Sequence, residues 1–164
     1  MMSSLQRVAT ELAELTAEYN KQASVQHSWE LHPVLDEPGV PEGVVFDAAE
    51  WGKILTAARK IIKQAERDGI SIKGPSGTGN PELNSEFIAL NGDGRLNQSA
   101  ETFRLVRTLD AKMLLSRMGG SGWCKTKGYP YGKVVVSILV AAFRINDDAI
   151  SVQAASGTLS DIYK

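Results

Sequence analysis

Few residues in this 164-residue chain have the chemistry of a reactive centre: one cysteine, Cys124, and two histidines, His27 and His32. A cysteine nucleophile works as its thiolate and needs a base or a cation close by. Lys125 and Lys127 follow Cys124 and could lower its pKa, and a histidine could join it only through the fold. A lone cysteine beside a tryptophan, Trp123, reads more readily as a packed thiol. The histidines sit in His27-Ser28-Trp29-Glu30-Leu31-His32. That H-x-x-E-x-H spacing misses both zinc-protease patterns, and a third ligand would have to come from a distant carboxylate. The expectation is therefore no catalytic residue, no metal and no cofactor. A small cytosolic enzyme using Cys124 or His27/His32 stands as the third functional reading.

Two glycine-rich turns imitate ligand loops. Gly74-Pro75-Ser76-Gly77-Thr78-Gly79-Asn80-Pro81 has the glycines of a phosphate-binding loop. It lacks the chemistry, because Asn80 replaces the phosphate-reaching lysine and Pro81 the magnesium-ligating hydroxyl. Asn91-Gly92-Asp93-Gly94-Arg95-Leu96-Asn97 imitates the middle of a calcium loop. Its first and twelfth positions would be Ala89 and Ala100, where carboxylates are required, so a hairpin turn is the better reading.

The remaining chemistry is that of a contact surface. Between Gly122 and Lys133 the aromatics Trp123, Tyr129 and Tyr131 interleave with Lys125, Lys127 and Lys133. Arg104 and Arg107 could join them from a neighbouring strand. Rings that stack on bases and cations that meet phosphates make a single-strand nucleic-acid surface. The same residue types, Trp, Tyr and Arg, are enriched at the energetic centres of protein interfaces. No recognised nucleic-acid motif accompanies them.

Charge supports such a surface. The net charge is −1, yet residues 1–50 hold nine acidic and two basic residues, and residues 95–144 hold nine basic and two acidic. The imbalance suits either a polyanion-facing surface or two halves of the chain that attract each other, against the plainer reading that most of these charges are solvated. One unpaired cysteine gives no reason to expect an oxidising compartment, and the N-terminus shows no apolar leader, so a cytoplasmic protein is expected.

The elements that must position these residues follow from periodicity. Leu5, Val8, Leu12, Leu15 and Tyr19 give a narrow helical stripe over residues 1–22, able to pack on the body or on a second copy, so that a monomer or a homodimer is expected. Residues 23–46, broken by Pro33, Pro38, Gly39, Pro41 and Gly43, read as irregular. The main body, 47–164, opens with a capping box, Asp47 to Glu50, and a helix whose apolar face carries Trp51, Ile54, Ala58 and Ile62, ended by Gly69. Short strands are expected at Ile70–Ile72, Glu86–Leu90 and Glu101–Thr108, with a turn at 91–94 between the last two. A short helix spans Leu109–Met118, and Gly119-Gly120-Ser121-Gly122 reads as a flexible entry to the aromatic-cationic stretch. The apolar run Val134–Ile145 is too short for a bilayer span of roughly twenty residues and reads as a buried helix. A strand over Ala149–Ala154 and a helical turn over Thr158–Lys164 complete the chain. The fold class expected is a single α+β domain, with a small, mainly antiparallel sheet packed against helices and a buried C-terminal helix.

Phe87-Ile88-Ala89-Leu90-Asn91-Gly92-Asp93-Gly94, then Glu101-Thr102-Phe103-Arg104-Leu105-Val106-Arg107, then Trp123-Cys124-Lys125-Thr126 with Tyr129-Pro130-Tyr131 form a succession. It resembles a group of small uncharacterised proteins of tailed bacteriophages and prophages. That group carries F-N-G-x-G-D-D-x-x-E-T-F-x-x-x-R, then F-C-K-T-x-x-x-P-Y-D and an apolar helix. The resemblance spans residues 86–145 with gaps. It departs at Ala89-Leu90, at Arg95 after Gly94, where the second aspartate is missing, and at Gly132, which replaces aspartate. It implies a phage setting and no activity.

The functional expectation is a non-enzymatic, phage-encoded accessory protein in the host cytoplasm. It would bind a bacterial host protein through Arg104, Arg107, Trp123, Lys125, Lys127, Tyr129, Tyr131 and Lys133. Binding of single-stranded nucleic acid by the same residues is the second reading, and no membrane partner is expected.

Overall fold

The structure, a computed structural model, describes Thr10 and residues 26–34, 43–116, 119–154 and 157–158. The helix expected over 1–22 lies outside these residues except for Thr10, which is helical, and so does 35–42 of the segment expected to be irregular. The described chain is an α+β domain with antiparallel sheets packed on helices, as its pattern predicts.

The first sheet corrects the reading of residues 23–46. Gln26–Leu31 forms β1, with His27, Trp29 and Leu31 facing the core. It lies between β6 (Ser121–Lys125) and β7 (Ile150–Ala154), and β8 (Gly157–Thr158) follows β7, in the order β6-β1-β7-β8. The alternation of Gln26-His27-Ser28-Trp29-Glu30-Leu31 is the strand signal, hidden among the prolines that follow it. Thr158 belongs to β8 and not to a helical turn, while residues 159–164 lie outside the described set.

The second sheet is built on β4 (Phe87–Gly92). Its neighbours are β2 (Ile72–Lys73), β3 (Glu82–Leu83) and β5 (Phe103–Val106), all antiparallel. Phe103 and Leu105 are buried and Arg104 faces outward, the alternation read from sequence. The β4–β5 connection is longer than the expected turn. It holds a single 3₁₀ turn, Gly94–Leu96, and the left-handed residue is Asn97 at φ +58°, not one of residues 91–94.

Helix α1 (Ala48–Arg67) starts on the predicted capping box. The Glu50 amide donates to Asp47 Oδ1 at 2.8 Å and the Asp47 amide donates to Glu50 Oε1 at 2.9 Å. At its other end the Ile70 amide donates to Ala65 O and the Gly69 amide to Glu66 O, with Gly69 at φ +84°. This is the paired-bond ending that a left-handed glycine permits. The short α2 (Ala111–Leu115) is capped by Asp110, whose carboxylate accepts from the Met113 amide at 2.8 Å.

Helix α3 (Gly132–Ile145) is the buried helix expected from the apolar run. Val134, Val135, Val136, Ile138, Leu139, Val140, Ala142 and Phe143 are all buried. It packs against α1, β7 and β1. Each fully buried Val, Leu or Ile side chain contributes about 1.5–3 kcal/mol relative to exposure, so this helix anchors the core. Asn146, its C-terminal cap residue, donates to Glu50 Oε2 at 2.8 Å. The carboxylate that caps α1 thus also ties down the end of α3. Among the described residues no helix is long and apolar enough to cross a membrane.

Candidate functional site

The structure divides the aromatic-cationic stretch among three places on the surface and one in the core. Trp123 and Lys125 stand on the outer face of β6, and Trp123 is 45% exposed. Lys127 sits at the tip of the next turn, at φ +54° beside Gly128 at φ +73°. Tyr129 is half-buried and, with exposed Lys133, lines a separate depression against Asp68 and Ile70 at the end of α1.

Tyr131 does not belong to the surface. It is 1% exposed, and its hydroxyl donates to Glu101 O at 2.7 Å. Burial is the first cause of the upward shift of its phenol pKa. The following helix carries so many apolar residues that the ring preceding it is drawn into the core, where its hydroxyl still finds an acceptor. Arg107 is partly buried, and its Nε donates to Phe46 O at 3.0 Å, which fixes it as a clamp on the start of α1.

Arg104 and Trp123 do come together. Both line a groove of about 280 Å³, with Trp29, Leu31 and Leu109 among its apolar lining and Met113 of α2 beside them. Arg104 extends over the Phe87 ring, 4.1 Å from its centroid, on the outward face of β5. Phe87 is opposite Val106, so this is a diagonal cross-strand pair. Trp29 meets Phe103 edge to face at 5.4 Å and so joins the groove to the core.

The glycines at the entry to β6 are there for close approach, which corrects the expected flexible entry. A Cβ on Gly120 would lie 2.1 Å from Leu31 O, and one on Gly122 would lie 2.3 Å from the Trp29 ring. Ser121 and Gly122 are already strand.

The candidate reactive groups are brought together in one instance only. His27 and Cys124 are directly opposed on β1 and β6, but both are buried. His27 Nε2 bonds to Thr126 Oγ1 at 2.9 Å, and burial lowers its pKa to about 4. Burial likewise pushes the Cys124 thiol up to about 12, and its Sγ contacts Glu101 O at 3.4 Å. A neutral imidazole beside a protonated thiol is the opposite of an activated pair. His32 is exposed and bonds to Ser151 Oγ at 2.9 Å, away from both. Among the described residues, no three His, Cys, Asp or Glu side chains gather as a metal site.

The two imitation loops explain each other. Asn91 Nδ2 donates to Pro75 O at 3.1 Å and Ala100 O at 2.9 Å, and its Oδ1 accepts from the Gly92 and Ala100 amides. All four bonds available to a carboxamide are made. Thr102 Oγ1 donates to the same Pro75 O at 2.6 Å, and the Gly94 amide donates to Gly77 O at 2.9 Å. Asp93 accepts from Ser71 Oγ at 2.6 Å and from the Arg95 amide at 2.9 Å. The Ser71 hydroxyl leads the causes that lower its pKa, with the Arg95 amide, Lys73 and Arg95 adding to it. The Asn91 side chain and the Gly94 amide thus fasten the calcium-like loop to the glycine-rich turn, while Asp93 is taken up by Ser71 and Arg95.

No protein-family model, curated protein or solved structure matches this chain, so the site's geometry and the sequence pattern carry the functional reading.

Proposed function

We propose that the protein is a non-enzymatic accessory protein that holds a protein partner at the Trp123–Arg104 groove. The observation that carries this reading is the exposure of Trp123, 45%, at the lip of an apolar groove that also contains an arginine. A large ring left in water beside a guanidinium is the composition of an interface centre. The bacteriophage setting, with a bacterial host protein as partner and the host cytoplasm as location, rests on the resemblance of residues 86–145.

Single-stranded nucleic acid is the second reading, favoured by exposed Arg104 and Lys125 near the same ring. It is weakened by the dispersal of the other aromatics, since Tyr131 is in the core and Tyr129 is at the end of α1. Successive bases need successive rings.

The test is affinity capture from bacterial lysate with wild type, Trp123→Ala and Arg104→Glu proteins, at low and high salt. The expected result is a protein retained by wild type and lost with either variant. Equal retention by all three overturns the reading. A nucleic acid retained instead, with affinity falling steeply as salt rises, favours the second reading.

A further inference from the structure

Two strand edges line the groove. The Leu31 amide donates to Gly120 O, in register with the β1–β6 pairing. Antiparallel ladders alternate, so Gly120, Gly122 and Cys124 turn their backbone groups toward β1, while Ser121 and Trp123 turn theirs away from it. Lys125 shows the same outward phase: its amide donates to Glu101 Oε1 at 3.0 Å and its carbonyl accepts from the Glu101 amide at 3.2 Å. No strand among the described residues pairs with that side of β6.

The edge of β5 has the matching phase. The Arg107 amide donates to Glu86 O, in register with β4–β5. Arg104 and Val106 therefore turn their N–H and C=O groups away from β4. Arg104, Val106, Ser121 and Trp123 all line the one groove. The Glu101–Lys125 bonds close the seam between the two strands at one end. At the other end, beyond β5, the chain's own Val44 bridges both Val34 and Thr108.

We infer that the groove is a strand-addition site, in which an extended acidic segment of the protein partner pairs with the outer edge of β6. This rests on the reading of the groove as a protein-binding site and specifies how the partner is held. An unprotected edge that carries a tryptophan is a template for another chain. Arg104 and Lys125 flank the edge and are exposed, and the Glu101 carboxylate beside them already accepts from the Lys125 amide, so the balance of charge at the edge favours an acidic occupant. A second copy of this chain would add its own exposed Arg104 and Lys125 to the same edge, and like charges gathered there are unfavourable.

The experiment uses the full chain, labelled with ¹⁵N, and a capped peptide of alternating aspartate and valine, about eight residues long, within the usual strand length. A lysine–valine peptide of the same length is the control. The expected result is binding of the acidic peptide only, with exchange of the Ser121 and Trp123 amides slowed by about tenfold or more. Ser121→Pro removes an outward N–H that no strand among the described residues uses, a substitution edge strands tolerate, and is expected to abolish binding. Trp123→Pro is the second edge variant, and amide spectra confirm the fold of each. If the acidic peptide does not bind, or binds without slowing those two amides, the inference is overturned. If Trp123→Ala weakens binding while Ser121→Pro does not, the groove reading stands and strand addition falls. If neither variant changes binding, both fall.

Discussion

His27 and Cys124 face each other across the β1–β6 ladder, both buried, with the imidazole held neutral and the thiol held protonated. A histidine lowered from 6.5 to about 4 leaves the unfolded chain binding more protons than the folded one between those values. Stability is therefore full above the unfolded pKa, falls as pH drops through the window, and levels off below about 4. The loss approaches about 3 kcal/mol, at 1.36 kcal/mol per pKa unit. Urea unfolding at neutral pH and near pH 4 checks this. His27→Gln keeps a partner for Thr126 without the titration and is expected to show a smaller fall. A fall as large as in wild type would assign the acid sensitivity to other groups.

The same pair predicts an inert thiol. At pH 8 the Cys124 side chain of the folded protein is expected to resist an aromatic disulfide reagent, and to react quickly in urea. Rapid labelling without denaturant would contradict the burial. Partner capture is expected to survive the double variant Cys124→Ala, His32→Ala; its loss would revive an enzymatic or thiol-dependent role.

Asn91 predicts a stability effect with no ligand in it. Asn91→Ala removes four hydrogen bonds and leaves the Ala100 amide and carbonyl without their partner. The expected cost is about 2–4 kcal/mol, since one abandoned buried polar group costs about 1–3 kcal/mol. Chemical denaturation measures it. Added calcium or nucleotide is expected to leave the wild-type midpoint unchanged, and a shift would reopen the ligand readings of these loops.

Gly122→Ala tests the groove floor. Its Cβ would fall 2.3 Å from the Trp29 ring, so either β6 or the ring must move. The expected destabilisation is about 1–3 kcal/mol, typical of overpacking, with a change in Trp29 fluorescence. An unchanged melting temperature and spectrum would mean that the approach of β6 to Trp29 is looser than described.

What the sequence made legible is local. The Asp47–Glu50 capping box, the Gly69 stop and the apolar run of α3 are set by residues within a few positions of one another, and each stands where its pattern puts it. The faces of β5 were readable from simple alternation. β1 was missed because its meaning lies at the other end of the chain: His27 pairs with Cys124, and Leu31 with Ile150. The surface was half legible for the same reason. Composition picks out Trp123 and Arg104, which the fold leaves exposed along one groove, but only long-range packing decides that Tyr131 is a core residue and that Tyr129 lies beside Asp68.

The fastening of the 74–79 turn to the Asn91 loop bears on how the chain can be re-engineered. Surface turns rich in glycine are the usual choice for inserting a tag or opening new termini. Here Pro75 O receives both Asn91 and Thr102, and Gly77 O receives Gly94. A break at Ser76 would cut the stitch between two loops rather than a free tip. The exposed stretch at Asp147–Asp148, after α3, is the better point for an insertion, provided that Asn146 keeps its bond to Glu50.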